Sequence, residues 1–357
     1  MRRRALLMAA ALQTSLCRVA VSSEVRQRPL QFPADFGSHP NTRTEWWYAT
    51  GALEAADRKL GFQLTFFRSR TDVPQDHPSR FAARQLVFAH AAVTDLAGRR
   101  LRHDQRVARA GFRIAEAHEG DTRVDLRDWH LWREGQADSR YHARLRSDSA
   151  SFDLDLMLAA TQPVLLQGEA GYSRKGPEPA QASHYYSEPQ LQVSGSLALD
   201  GRPLAVRGTA WLDHEWSDEL LAADAVGWDW IGMNLFDGSA LTAFRLRRRD
   251  GSVLWAGGSH RSAGQAVHDF AADAVHFTPG RTWRSATSQA TYPVEWVIDV
   301  PPGRYRVRAL LDAQELDSRN STGAIYWEGL SELLDAQGRV VGRGYLEMTG
   351  YPAPLRL

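Results

Sequence analysis

The chain has 357 residues, 43% of them hydrophobic and 24% charged. That is a globular composition, with length for two domains of roughly 100–200 residues each. Formal net charge is +1, and without the first 23 residues 39 basic residues face 42 acidic ones. Such a balance supplies no clustered positive field, so nucleic acid is not an expected partner.

The first 23 residues read as a signal peptide. Arg2-Arg3-Arg4 is the charged start, Ala5 to Leu16 the short apolar stretch, and small residues near Ala20–Ser23 offer a cleavage site. The stretch is shorter than the ~20 apolar residues a membrane helix needs. Cleavage would leave the mature chain in the periplasm or outside the cell. Cys17 is the single cysteine and lies in this segment, preceded by Leu16 where a lipid-anchoring signal wants a small residue. The mature chain would then have no cysteine, which excludes a disulfide framework and a thiolate metal site.

From there on, short alternating runs end in turn chemistry. Leu86–Thr94 precedes Asp95-Leu-Ala-Gly98, and Leu191–Leu199 precedes Asp200-Gly201. Trp228–Phe236 precedes Asp237-Gly238, Ala243–Arg249 precedes Asp250-Gly251, and Glu332–Ala336 precedes Gln337-Gly338. Asp-Gly supplies the positive φ of two-residue hairpin turns. Hairpins in series without intervening helices predict an all-β antiparallel sandwich or barrel. Asp218–Ala225, rich in Leu and Ala, is the one candidate short helix or linker.

A repeat sets the architecture. Glu45-Trp46 is followed by Thr65-Phe-Phe-Arg-Ser-Arg70, and Asp229-Trp230 by Thr242-Ala-Phe-Arg-Leu-Arg247. Two modules that open with the same hairpin are expected, with the boundary near 218–225.

Four segments concentrate chemistry. They are Asn41–Tyr48; Gln167–Gly176 with Ser183–Ser187; Trp211–Trp216; and Gly227–Trp230, echoed by Tyr326-Trp327-Glu328-Gly329. On a strand, residues two apart share a face. Glu45 then lies with Trp47, Trp46 with Tyr48, His214 with Trp216 and Asp213 with Glu215, while Asp229 points away from Trp228 and Trp230. An acid among buried aromatics keeps its proton and can act as a general acid. Candidate ligand-binding residues are Glu45, Trp46, Trp47, Tyr185, Tyr186, Trp228, Trp230 and Trp327. No G-x-S-x-G, H-E-x-x-H, P-loop or dinucleotide fingerprint is present. With scattered histidines and no thiolate, a dedicated metal site is not expected.

T-E-W-W-Y-x-T-G at 44–51, Q-G-E-x-G-Y-S-R-K-G at 167–176, H-Y-Y-S at 184–187, W-L-D-H-E-W at 211–216 and G-W-D-W at 227–230 resemble the AttH/carotenoid 1,2-hydratase group of lipocalin-like proteins. The resemblance runs from about Phe32 to Tyr351. It implies two consecutive lipocalin-like antiparallel β-barrel modules, at 32–220 and 221–355. It also implies an exported lipid- or isoprenoid-binding protein, with water addition to a C=C bond of an acyclic carotenoid or related isoprenoid as the candidate activity. By motif, the catalytic residues fall on Asp229, His214 and Trp216, with Asp229 as the proton donor and no cofactor required. A non-catalytic periplasmic carrier serving an envelope transporter or the membrane surface is the alternative. A secreted hydrolase, the label members often bear, is a third reading without a nucleophile signature.

Overall fold

The structure, a computed structural model, describes residues 26–136, 138–219 and 221–355. The expected signal peptide, with Cys17, lies outside the described residues. At Asp200-Gly201 the turn chemistry does what the sequence predicts, while at Asp237-Gly238, Asp250-Gly251 and Gln337-Gly338 only the glycine has positive φ. Asp200 and Gly201 have φ of 51° and 74° and join Leu199 to its cross-strand partner Arg202. Positive φ at both central positions gives the turn the twist of its flanking strands.

Nearly every element is an antiparallel strand, and the described residues contain no α-helix. Residues 218–219 and 221–224 are bends, turns and irregular backbone rather than helix, and Ala225 opens the next strand, Ala225–Leu235. Strands between residues 44 and 217 form one thirteen-stranded sheet, and strands between 225 and 348 form one of ten strands. The first sheet curls until its ends, the Arg100–Arg109 and Ala115–Ala117 strands, approach in a nearly closed barrel. Arg106 bridges that gap, paired with Asp128 and lying 4.5 Å over the Trp129 ring.

Alternation along each strand separates three cores. Trp47, Phe66, Val87 and Leu156 fill the first barrel, while Ile231, Trp296, Trp327 and Met348 fill the second module. A third core lies between them, on the outer faces of both sheets, built from Tyr48, Trp211, Trp230, Phe244, Leu330 and Tyr345. Close approach there needs a residue without a side chain. A Cβ on Gly61 would lie 2.6 Å from the Tyr345 hydroxyl and 3.1 Å from Leu330.

The hairpin repeat is present in the pairing itself. Glu45 stands opposite Arg68, and Asp229 opposite Arg245, each with a 2.7 Å ion pair inside its own module. On the other side of each opening strand, Trp46 faces Glu215 and Trp230 faces Glu347. The two modules therefore present matching Trp–Glu pairs toward the space between them.

Candidate active site

That space is a cleft of about 730 Å³. The first module lines it with Trp46, Tyr48, Phe67 and Tyr185, and the second with Trp228, Trp230, Phe244 and Tyr326. Among the carboxyl groups that line the same cavity are Asp213, Glu215, Glu328 and Glu347, and Lys175 and Arg43 are its cations.

Asp213 is 4% exposed. Its Oδ1 accepts from Ser187 (2.5 Å) and Trp211 Nε1 (2.6 Å), and its Oδ2 accepts from the Tyr185 hydroxyl at 2.8 Å. Burial pushes its carboxyl up to about 7, against these hydrogen bonds and with help from the Glu215 charge. Near neutral pH Asp213 is therefore divided between the two forms a general acid must visit.

Two residues along the same strand, Glu215 is held by Ser183 and by Lys175 at 3.0 Å. The Lys175 ammonium also lies 4.4 Å over Phe244 and 4.7 Å over Tyr185. Cation–π contacts and the ion pair compensate a charge that would otherwise be costly to bury.

Glu328 and Glu347 are direct cross-strand partners. Glu347 accepts from Trp228 Nε1 at 2.9 Å. Glu328 is 2% exposed and lies beside the Tyr48 hydroxyl. Both carboxyls are raised, by burial first; Glu347's charge then raises Glu328 further, and those of Asp213 and Glu215 raise Glu347. At the far wall, His90 bonds the Tyr326 hydroxyl and Ser321 Oγ, each at 2.8 Å, and burial lowers it to about 3, so it is neutral.

The expected catalytic residues lie elsewhere. Asp229 is fully buried inside the second module, held by Arg245 at 2.7 Å, Arg247 at 3.0 Å and the Tyr351 hydroxyl at 2.8 Å. It does not line the cleft. His214 and Trp216 point into the first barrel with Glu45, Trp47 and Tyr186. His214 Nε2 meets Glu45 at 3.0 Å and its Nδ1 meets Tyr186 at 3.1 Å, while Trp216 stacks on His39 at 3.7 Å. Burial lowers His214 to about 4, leaving it neutral. Trp327 is sealed in the second module's core. Of the expected residues, Trp46, Tyr185, Trp228 and Trp230 do meet in the cleft.

His39, Glu45 and His214 bring one potential metal-ligand atom each within 4.8 Å of the others. Glu45 is already neutralised by Arg68. Burial opposes its charge, but hydrogen bonds from His214 and His39 and the Arg68 charge hold its carboxyl well below the usual range. We read Asp35–His39–Glu45–His214–Tyr186 as an internal hydrogen-bonded chain.

The profile of the AttH-like family matches residues 23–351. The chain belongs to the AttH-like family. A crystal structure of the AttH candidate of Nitrosomonas europaea is 48% identical, with a TM-score of 0.84, covering 92% of this chain and 98% of that one. Kievitone hydratase from Nectria haematococca shares the fold at 17% identity and a TM-score of 0.67, covering 90% of this chain and 93% of that one. CghA does so at 13% identity and a TM-score of 0.50, over 86% and 88%. No curated protein sequence matches the chain significantly.

In this AttH-like chain, sequence reasoning passed over Asp213, Glu215, Glu328, Glu347 and Lys175 as site residues. A signal for two of them was present. Lysine occurs only at 59 and 175 in a chain rich in arginine, and Glu328 sits beside Trp327, an expected ligand-binding residue. Glu347 carries no local signal. Its role comes from pairing with Glu328 and Trp230.

Proposed function

We propose that this AttH-like protein adds water across a carbon–carbon double bond of an elongated apolar substrate of the isoprenoid class, in the cleft between its modules. The observation that carries the reading is an aromatic-walled cavity holding a carboxylic acid, Asp213, that keeps its proton to about pH 7. A cavity of this size, mostly apolar with a few convergent polar groups, is a typical small-molecule site. The hydratase named among the structural neighbours is consistent with the chemistry.

The step balances without a redox partner. Asp213 Oδ2 gives its proton to one alkene carbon, and the π electrons form the new C–H bond. Positive charge develops on the neighbouring carbon, where the faces of Trp46 and Trp230 stabilise it, by about 2 kcal/mol for a desolvated cation–π contact. Water adds to that carbon and loses a proton to Glu215, the carboxylate paired with Lys175. Glu215 and Asp213 share one strand face, so the proton returns to Asp213 over a short path. Acyclic carotenoids fall within this substrate class.

Export belongs to the same reading and rests on the N-terminal Arg2-Arg3-Arg4 and apolar stretch. Fractionation of the expressing cells tests it.

The sealing of Asp229 by Arg245 and Arg247 favours a second reading, a carrier that binds lipid without transforming it. The two separate on one variant. Under the hydratase reading, Asp213→Asn loses turnover of farnesol, an acyclic isoprenoid alcohol, but still binds the polyene probe cis-parinaric acid. A wild-type chain that binds the probe and turns over no isoprenoid supports the carrier.

A further inference from the structure

The outer face of the first barrel carries an unbroken cross-strand row from the cleft to the surface. Glu215 pairs with Trp46, Trp46 with Phe67, Phe67 with Phe88, and Phe88 with Val107. Glu215 is buried and Val107 is 40% exposed, and the Phe67 and Phe88 rings between them stack at 4.7 Å. One row further along, Leu86, which also lines the cleft, pairs with Arg109.

Beside Arg109 the row ends in a patch unlike the rest of the surface. Phe81 is 71% exposed, Phe112 44% and Ile114 43%. The two phenylalanine rings stack at 5.3 Å, with Arg109 4.6 Å over Phe112 and 5.3 Å over Phe81. Segments 79–84 and 109–114 contribute Arg80, Arg84, Arg109 and Arg113 and no acid. None of these arginines is ion-paired among the described residues. Exposed phenylalanine singly is ordinary; clustered and ringed by unpaired arginine it is a recognition surface.

We propose that this end of the first barrel docks on an anionic lipid bilayer, and that the cleft receives its apolar ligand from the bilayer along the Val107–Phe88–Phe67–Trp46 row. The charge decides the partner. Phe81, Phe112 and Ile114 reach the acyl boundary while four cations meet anionic headgroups, the division of labour of interfacial anchors. The ligand-delivery half rests on the apolar substrate proposed above; the docking half does not.

The test is flotation of the purified chain with vesicles of phosphatidylcholine alone or mixed with phosphatidylglycerol. Binding to the mixed vesicles is expected, weakened by salt and about tenfold or more weaker for Phe81→Ser/Phe112→Ser and for Arg80→Glu/Arg113→Glu. These side chains are at the surface, so unchanged circular dichroism and melting temperature would show that the fold is intact. The same variants should take up cis-parinaric acid from solution as wild type does, yet extract it from vesicles more slowly. Equal flotation of wild type and variants, or no flotation of wild type with either vesicle, overturns the docking. Normal extraction by variants that no longer float overturns the delivery route. Failure of wild type to bind the probe in solution would count against the proposed function and leave the docking result standing.

Discussion

Glu328 and Glu347 stand directly opposite one another on adjacent antiparallel strands, both facing the cleft. Two carboxylates so placed cannot both ionise without mutual repulsion, and burial deepens the penalty. The folded protein therefore holds a proton that the unfolded chain releases. Stability should fall as pH rises above the ordinary carboxylate range, because the native state binds more protons there. Glu328→Gln removes one of the two charges. Its melting temperature should exceed wild type at about pH 8 and converge with it as pH falls below about 4, where both carboxyls become protonated in either state. A constant offset across that range would contradict the pairing.

Asp213 gives a second pH dependence, in activity. Its carboxyl is raised to about 7, chiefly by burial, so the proton it must donate is present below that pH and lost above it. The pH profile of kcat/KM should be level on the acid side of about 7 and fall by about tenfold per pH unit beyond it. A rate that rises through this region would rule out an acid of this kind.

Asp229→Asn is expected to act on stability. The substitution leaves Arg245 and Arg247 facing a neutral amide in a buried site. Breaking a buried ion pair by removing one partner typically costs about 3–5 kcal/mol. Urea unfolding should record a loss of that order, while protein that remains folded turns over substrate at near the wild-type rate.

Lys175→Met removes the one cation beside Glu215. Without it, Glu215 loses its ion-pair partner, the group that holds its carboxylate in place to take a proton from the attacking water. We expect about a hundredfold lower kcat at neutral pH. Unchanged kcat would remove Glu215 as the base.

Much of this fold was legible because β-structure writes its faces into the sequence. The alternation correctly grouped His214 with Trp216, Asp213 with Glu215, and Asp229 away from Trp228 and Trp230, and the hairpin echo became the Glu45–Arg68 and Asp229–Arg245 pairs. Which face holds the cavity was not legible. In an ordinary barrel the aromatic face points inward and the acidic face meets water. Here both faces of the Trp211–Trp216 segment are apolar or shielded, because the outer face of one module is covered by the other. Asp229, the acid with aromatics on both sides in sequence, points into its own module. Asp213 and Glu215, which look like solvent-facing partners of a core histidine, are the ones that meet Glu347 and Glu328 from the far end of the chain.

The central claim, proton transfer from Asp213 to an alkene carbon in the cleft, is tested most directly by incubating wild type and Asp213→Asn with farnesol in deuterated water and reading the product by mass spectrometry and deuterium NMR. Wild type should give a hydrated product with one new carbon–deuterium bond. Asp213→Asn, still binding cis-parinaric acid, should give about a thousandfold less or none. Equal deuterium incorporation by the two proteins would contradict the account.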